Sequence, residues 1–124
     1  MKKSNKVFLV MLVVITFVLH GCESSKSNTI KELTARSNDK YIVHVFNKSY
    51  SESLAQEVTL MWNSNKSMLT KIEGFQFYDD FQERNKKIIN ELGIKEFPTF
   101  LVFDDKKVIL QTQKLDDILN LVNQ

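Results

Sequence analysis

The chain has 124 residues, 43% of them hydrophobic, with one Pro, three Gly and one Cys, a composition that suits one ordinary globular domain and excludes disorder and collagen-like repeats. Of the 17 Lys and Arg, Lys2, Lys3 and Lys6 fall in the first six residues, so from Glu23 onward 17 − 3 = 14 cations face 15 acidic residues. A body so near neutrality lacks the basic excess that gathers a nucleic-acid backbone. A single Cys also excludes an intramolecular disulfide, a Cys-x-x-Cys pair and a structural zinc site, and no cofactor or metal is expected.

The chain opens on a basic stretch, followed by the apolar run Val7 to Leu19, 19 − 7 + 1 = 13 residues, and then Leu19-His20-Gly21-Cys22. A membrane-spanning helix needs about 20 apolar residues, whereas a run of this length fits the hydrophobic region of a secretory signal. The Leu-x-Gly-Cys ending resembles the lipobox of bacterial lipoproteins, with His20 as the departure from the family's small or apolar preference. That resemblance implies a signal peptide over 1–21 and a mature chain starting at Cys22, palmitate-type acyl chains holding it to membrane lipid on the outer, extracytoplasmic face of the cell membrane. Glu23 to Asn28 is polar and Ser-rich, the composition of a spacer, so 22–39 is expected to be a lipidated N-terminus and tether. Within it Ile30 to Arg36 reads equally as one short helix or as the end of the spacer.

Strand and helix patterns alternate from there. Tyr41 to Phe46 (YIVHVF) is the near-continuous apolar run of a strand buried on both faces, hence central. Two capping boxes, Ser49…Glu52 and Ser53…Gln56, announce a helix whose apolar stripe is Leu54, Val58, Met61 and Trp62, ending near 63–66. A second strand is expected between Lys71 and Phe81. Ile88, Ile89 and Leu92 line the next helix, which Gly93 closes. Thr99 to Phe103, the polar turn 104–107 and Val108 to Leu110 form an antiparallel hairpin, and Leu115, Ile118, Leu119 and Val122 mark a final amphipathic helix. The expected order is β-α-β-α-β-β-α.

That order, and the segment Leu92-Gly93-Ile94-Lys95-Glu96-Phe97-Pro98-Thr99-Phe100-Leu101-Val102-Phe103, resemble the thioredoxin fold over 40–124, or 124 − 40 + 1 = 85 residues. The resemblance implies an α/β domain with a central mixed sheet flanked by helices, and a cis-proline loop at Phe97, Pro98 and Thr99. It also implies a groove for extended peptides between that loop and the first helix turn. Thioredoxins carry Cys-x-x-Cys at that turn, where this chain has Ser49-Tyr50-Ser51-Glu52-Ser53, with Tyr50 and Ser53 near the two thiol positions. A Ser hydroxyl without a general base does not exchange with a disulfide, so dithiol chemistry is excluded there and no enzyme activity is expected.

His44 is the only His after Cys22 and stands six residues before Tyr50, where the resemblance places a buried acidic residue. As a core residue it is satisfied by a carbonyl or a hydroxyl; as a catalytic one it would pair with Ser49 or Ser51. The pairs Asp79-Asp80 and Asp104-Asp105 read as solvated turns, while Trp62, Phe75, Phe77, Phe81, Phe97, Phe100 and Phe103 read as core. The functional expectation is a membrane-anchored, redox-inactive binding module, with Ser49, Tyr50, Ser51 and Ser53 in its groove and a peptide or protein as partner. The alternatives are an accessory envelope lipoprotein in secretion, assembly or immunity that uses another surface, and last a hydrolytic enzyme on His44.

Overall fold

In the computed structural model, which describes residues 25–124, the apolar run beginning at Tyr41 is strand β1 (Tyr41–Asn47), and its Val43, His44, Val45 and Phe46 are buried. Side chains of a strand alternate between faces, so Val43 and Val45 enter one core and Phe46 another, with His44 on the Phe46 side. Strand β2 (Ile72–Asp79) runs parallel to β1, while β3 (Thr99–Phe103) lies antiparallel on β1's other side and pairs in turn with β4 (Val108–Thr112). The sheet order is β2-β1-β3-β4, which makes β1 and β3 central and β2 and β4 edges.

Helices cover both faces. On one, α2 (Glu52–Ser64), α3 (Lys66–Lys71) and α5 (Leu115–Val122) bury Val58, Met68, Leu115, Ile118 and Val122 against Val43, Val45, Phe100 and Val102. On the other, α1 (25–33) and α4 (Glu83–Glu91) bring Leu33, Ile88 and Ile89 onto Phe46, Leu101 and Phe103. The crossover through α2 and α3 is what parallel pairing requires of β1 and β2.

The cap of α2 is Ser51, whose hydroxyl accepts the Leu54 N–H at 3.3 Å, and neither Ser49 nor Ser53 serves. The expected long helix stops at Asn65, whose extended backbone (φ −119°, ψ 115°) ends α2 while its side chain accepts the Met68 N–H and starts α3. Six residues with one buried apolar side chain carry too little periodicity to announce α3. At the end of α4 the sequence signal holds: Gly93 takes φ +68°, its N–H donates to the Asn90 carbonyl, and the Ile94 N–H donates back to Ile89. A Cβ at Gly93 would meet nothing within 4 Å, so Gly93→Ala incurs only the left-handed backbone penalty. The expected loss is about 1 kcal/mol in urea unfolding.

The segment read as tether is the largest departure. Residues 25–33 are helical, Leu33 and Ala35 are buried, and Ser25 and Thr29 donate hydrogen bonds to the Glu91 carboxylate, which those hydroxyls, Thr29 foremost, hold below its ordinary range. The Ala35 N–H donates to the Asp104 carbonyl at 2.8 Å. Ser-rich composition suggested a spacer, but Ile30 and Leu33, three apart on one helix face, are enough to dock it.

Candidate functional site

Register fixes which loops meet. Asn47 is paired with Asp79 and Phe46 with Thr99, so the loops after β1, after β2 and before β3 leave the sheet at the same end. The Asp80 N–H donates to the Lys48 carbonyl at 3.3 Å and ties the first two together. At this end stands Tyr50, 70% exposed, in the turn where the resemblance places thiols. Ser51 is engaged as the helix cap and lies 3.1 Å from the Ser53 hydroxyl.

Two cavities share Tyr50 as a wall. The smaller, about 60 Å³, is lined by Asn47, Ser49, Tyr50, Ser51, Leu54, Phe77, Tyr78 and Asp79. The larger is an open depression of about 480 Å³ along α2, bounded by Tyr50, Glu52, Ala55, Gln56, Thr59 and Leu60. Neither is lined by Phe97 or Pro98. The Phe97–Pro98 bond is cis, but Phe97 is half-buried against the Phe46 cluster, and the buried Thr99 donates its hydroxyl to the Glu96 carbonyl at 2.6 Å. The apolar side chains that line the smaller cavity with Tyr50 are therefore Leu54, Phe77 and Tyr78, not Phe97.

Phe77 and Phe81, read from sequence as core, are 43% and 74% exposed, and Leu60 is 71% exposed. Phe77 shares a sheet face with Phe75, but it sits near the end of an edge strand, where only Leu54 of α2's apolar stripe lines the same cavity. A signal for Leu60 existed: it falls off the stripe of Leu54, Val58, Met61 and Trp62, so a helix that buries the stripe must expose it. That stripe does pack inward, with Trp62 edge-on to Phe75 at 5.4 Å and its indole N–H buried without a partner.

His44 belongs to a different network. Its Nε2 lies 2.7 Å from the Leu33 carbonyl, which can only accept, so Nε2 carries the proton; Nδ1 lies 2.9 Å from the Tyr78 hydroxyl, itself 2.9 Å from Gln76 Oε1. A neutral ring accepts the phenol's hydrogen bond at Nδ1, which leaves Gln76 Oε1 as the alternative acceptor for the same O–H. Burial favours that neutral form by pushing the His44 pKa down, against the opposing pull of the Leu33 carbonyl, and burial likewise raises the pKa of Tyr78. The catalytic alternative, a pairing of His44 with Ser49 or Ser51, is not formed; a backbone carbonyl and a hydroxyl satisfy the ring, as the core reading expects. Asp79 and Asp104 are turn residues, the first accepting the Phe81 N–H and the second those of Lys106 and Lys107, which hold its carboxyl below its ordinary range. Among the described residues no three His, Cys, Asp or Glu gather as metal ligands would. Cys22 and the signal segment 1–21 lie outside the described residues.

No protein-family model and no curated protein matches the chain. Solved structures do match. Thioredoxin f2 of Chlamydomonas reinhardtii superimposes with a TM-score of 0.58 at 19% identity, covering 79% of this chain and 90% of that one. The long form of spinach chloroplast thioredoxin f gives 0.55 at 21%, over 76% and 74%, and the thioredoxin of Malassezia sympodialis gives 0.53 at 19%, over 76% and 80%. The fold is therefore thioredoxin-like, an α/β domain with a mixed four-stranded sheet between helices.

Proposed function

We propose that this chain is a lipid-anchored, extracytoplasmic protein whose thioredoxin-like domain binds a segment of another protein without thiol chemistry. The observation that carries the reading is Tyr50, which stands exposed between two cavities at the turn where the thioredoxin resemblance places Cys-x-x-Cys. Residues 23–124 contain no Cys, and His44 is committed to Leu33 and Tyr78. An aromatic ring with one apolar and one wet end is the side chain most often found at the centre of protein interfaces. The anchor rests on the Leu-His-Gly-Cys ending behind 13 apolar residues. With α1 helical from residue 25, two residues separate it from Cys22 and the three Cα-to-Cα steps span at most about 10 Å, so a lipidated Cys22 holds the domain close against the bilayer.

The test uses the full chain in its own membrane. A photo-crosslinking residue at Thr59, in the wall of the larger cavity, should capture a discrete partner. Tyr50→Ala should abolish that capture while stability stays within about 0.5 kcal/mol, because an exposed side chain contributes little to folding. Cys22→Ala should release the protein from the detergent phase. Undiminished capture by Tyr50→Ala would transfer the function to another surface, as the accessory-lipoprotein alternative requires. An unmodified Cys22 in an intact-mass measurement would remove the anchor.

A further inference from the structure

Strand β2 pairs with β1 on one side only, and among the described residues no main chain pairs with its other side. Every second residue of such an edge directs its N–H and C=O outward, which makes the edge a template for another strand. Proteins blunt free edges with Pro, Lys or bulges. Here the only such device is at the start, where Glu73 is an extra residue between the pairs Tyr41–Ile72 and Ile42–Gly74. Its carboxylate accepts the N–H groups of Arg36 at 2.9 Å and Ser37 at 3.3 Å, so this end is occupied. From Gly74 to Asp79 the ladder is regular, holds neither Pro nor Lys, and leaves Gln76 and Phe77 exposed.

Charge selects the occupant. The charged residues from Gly74 through Glu83 are all acidic, namely Asp79, Asp80 and Glu83, and the first cation after them, Arg84, lies near Tyr78. A second copy pairing antiparallel about Gln76 would set Glu73 against Asp79 at both ends of the contact, an opposition of like charges that disfavours it. An extended segment with a cation meets no such conflict.

We propose that the β2 edge from Gly74 to Asp79 accepts an extended segment of a partner protein as a fifth strand, with an apolar side chain on Phe77 and a Lys or Arg beside Asp79 and Asp80. The main chain supplies the pairing, and the charge sets direction and selectivity. The surface does not depend on the anchor, and it shares the walls Phe77, Tyr78 and Asp79 with the cavity beside the Tyr50 turn.

The experiment takes the full chain in detergent with two labelled eight-residue peptides, each alternating Val and Thr, one ending in two Lys and the other in two Glu. Fluorescence anisotropy should show the Lys peptide binding about tenfold more tightly, as two partly exposed charge pairs warrant, with the preference shrinking at 0.5 M salt. Asp79→Asn combined with Asp80→Asn, which keeps the turn hydrogen bonds, should reduce the preference to about twofold or less. Amide hydrogen exchange should slow within Gly74 to Asp79 when the Lys peptide is bound, and equally so in Tyr50→Ala. Failure of both peptides to bind, equal affinity for the two, or protection confined to 48–60 would overturn the proposal. So would β2 protection that rises with protein concentration alone, since that would make the occupant a second copy.

Discussion

Phe46→Ala should destabilise the domain by about 3–5 kcal/mol, the cost of deleting a fully buried aromatic ring and leaving the space unfilled. Phe46 has no exposed surface, lies in the central strand, and stacks on Tyr78 with ring centroids 4.8 Å apart and planes 15° from parallel. Around it pack Leu33, Ile88, Ile89 and Leu101, supplied by α1, α4 and β3. The cavity would open where three elements converge on β1, so no single one can relax to close it. Set against a typical domain stability of 5–15 kcal/mol, the loss leaves the fold marginal or unfolded at 37 °C. Urea titration should show a large drop in midpoint with little change in slope. Phe81→Ala, a change of the same size at a ring 74% exposed, should stay within about 0.5 kcal/mol. A Phe46 variant losing less than about 1 kcal/mol would mean that α1 and α4 do not pack as described.

The second large effect is a dependence on pH through His44. Burial holds its pKa below the ordinary 6.5 in the folded protein, so as pH falls the unfolded chain takes up the proton first. Stability is therefore fully present above about pH 6.5 and declines below it, by up to about 1.4 kcal/mol per pH unit until the folded ring titrates. Carboxylates of the unfolded chain titrate near pH 4, which leaves pH 6.5 to 5 as the window in which His44 dominates. His44→Phe keeps a ring for the edge-to-face contact with Phe103 at 5.2 Å but leaves the Leu33 carbonyl without its donor. It should cost about 1–3 kcal/mol at pH 7.5 and flatten the profile between pH 6.5 and 5. An unchanged slope in His44→Phe would mean that another group carries the dependence.

The docking of α1 makes this dependence more than local. The carbonyl that fixes the His44 tautomer belongs to Leu33; a ring that gains charge keeps that bond but loses Nδ1 as an acceptor for Tyr78, and it buries the charge at the joint between the helix nearest the proposed anchor and the sheet. Hydrogen-exchange protection factors in 25–35, referred to the intrinsic rate at each pH, should fall together with the loss of stability below pH 6.5.

What the sequence by itself determined are features whose causes lie within a few residues. The run Tyr41 to Phe46 buries its Val43, His44, Val45 and Phe46 whatever surrounds it, because no solvent-facing strand carries such a run. Gly93 closes α4 because its φ of +68° suits the one residue without a Cβ. The stripe of Leu115, Ile118, Leu119 and Val122 had to face a core, and the missing thiols were visible as missing letters. The tertiary structure alone decided which aromatics are buried. Phe75 and Phe77 look alike in a strand of unknown neighbours; once β3 takes the far side of β1, β2 becomes an edge, and the end of that edge is left uncovered. The same placement decided that Phe77 rather than Phe97 lines a cavity with Tyr50, and the packing of Leu33 decided that 25–35 belongs to the domain. Burial depends on strand order and on which helix lies overhead, and these arise from contacts distant in sequence that no local period encodes.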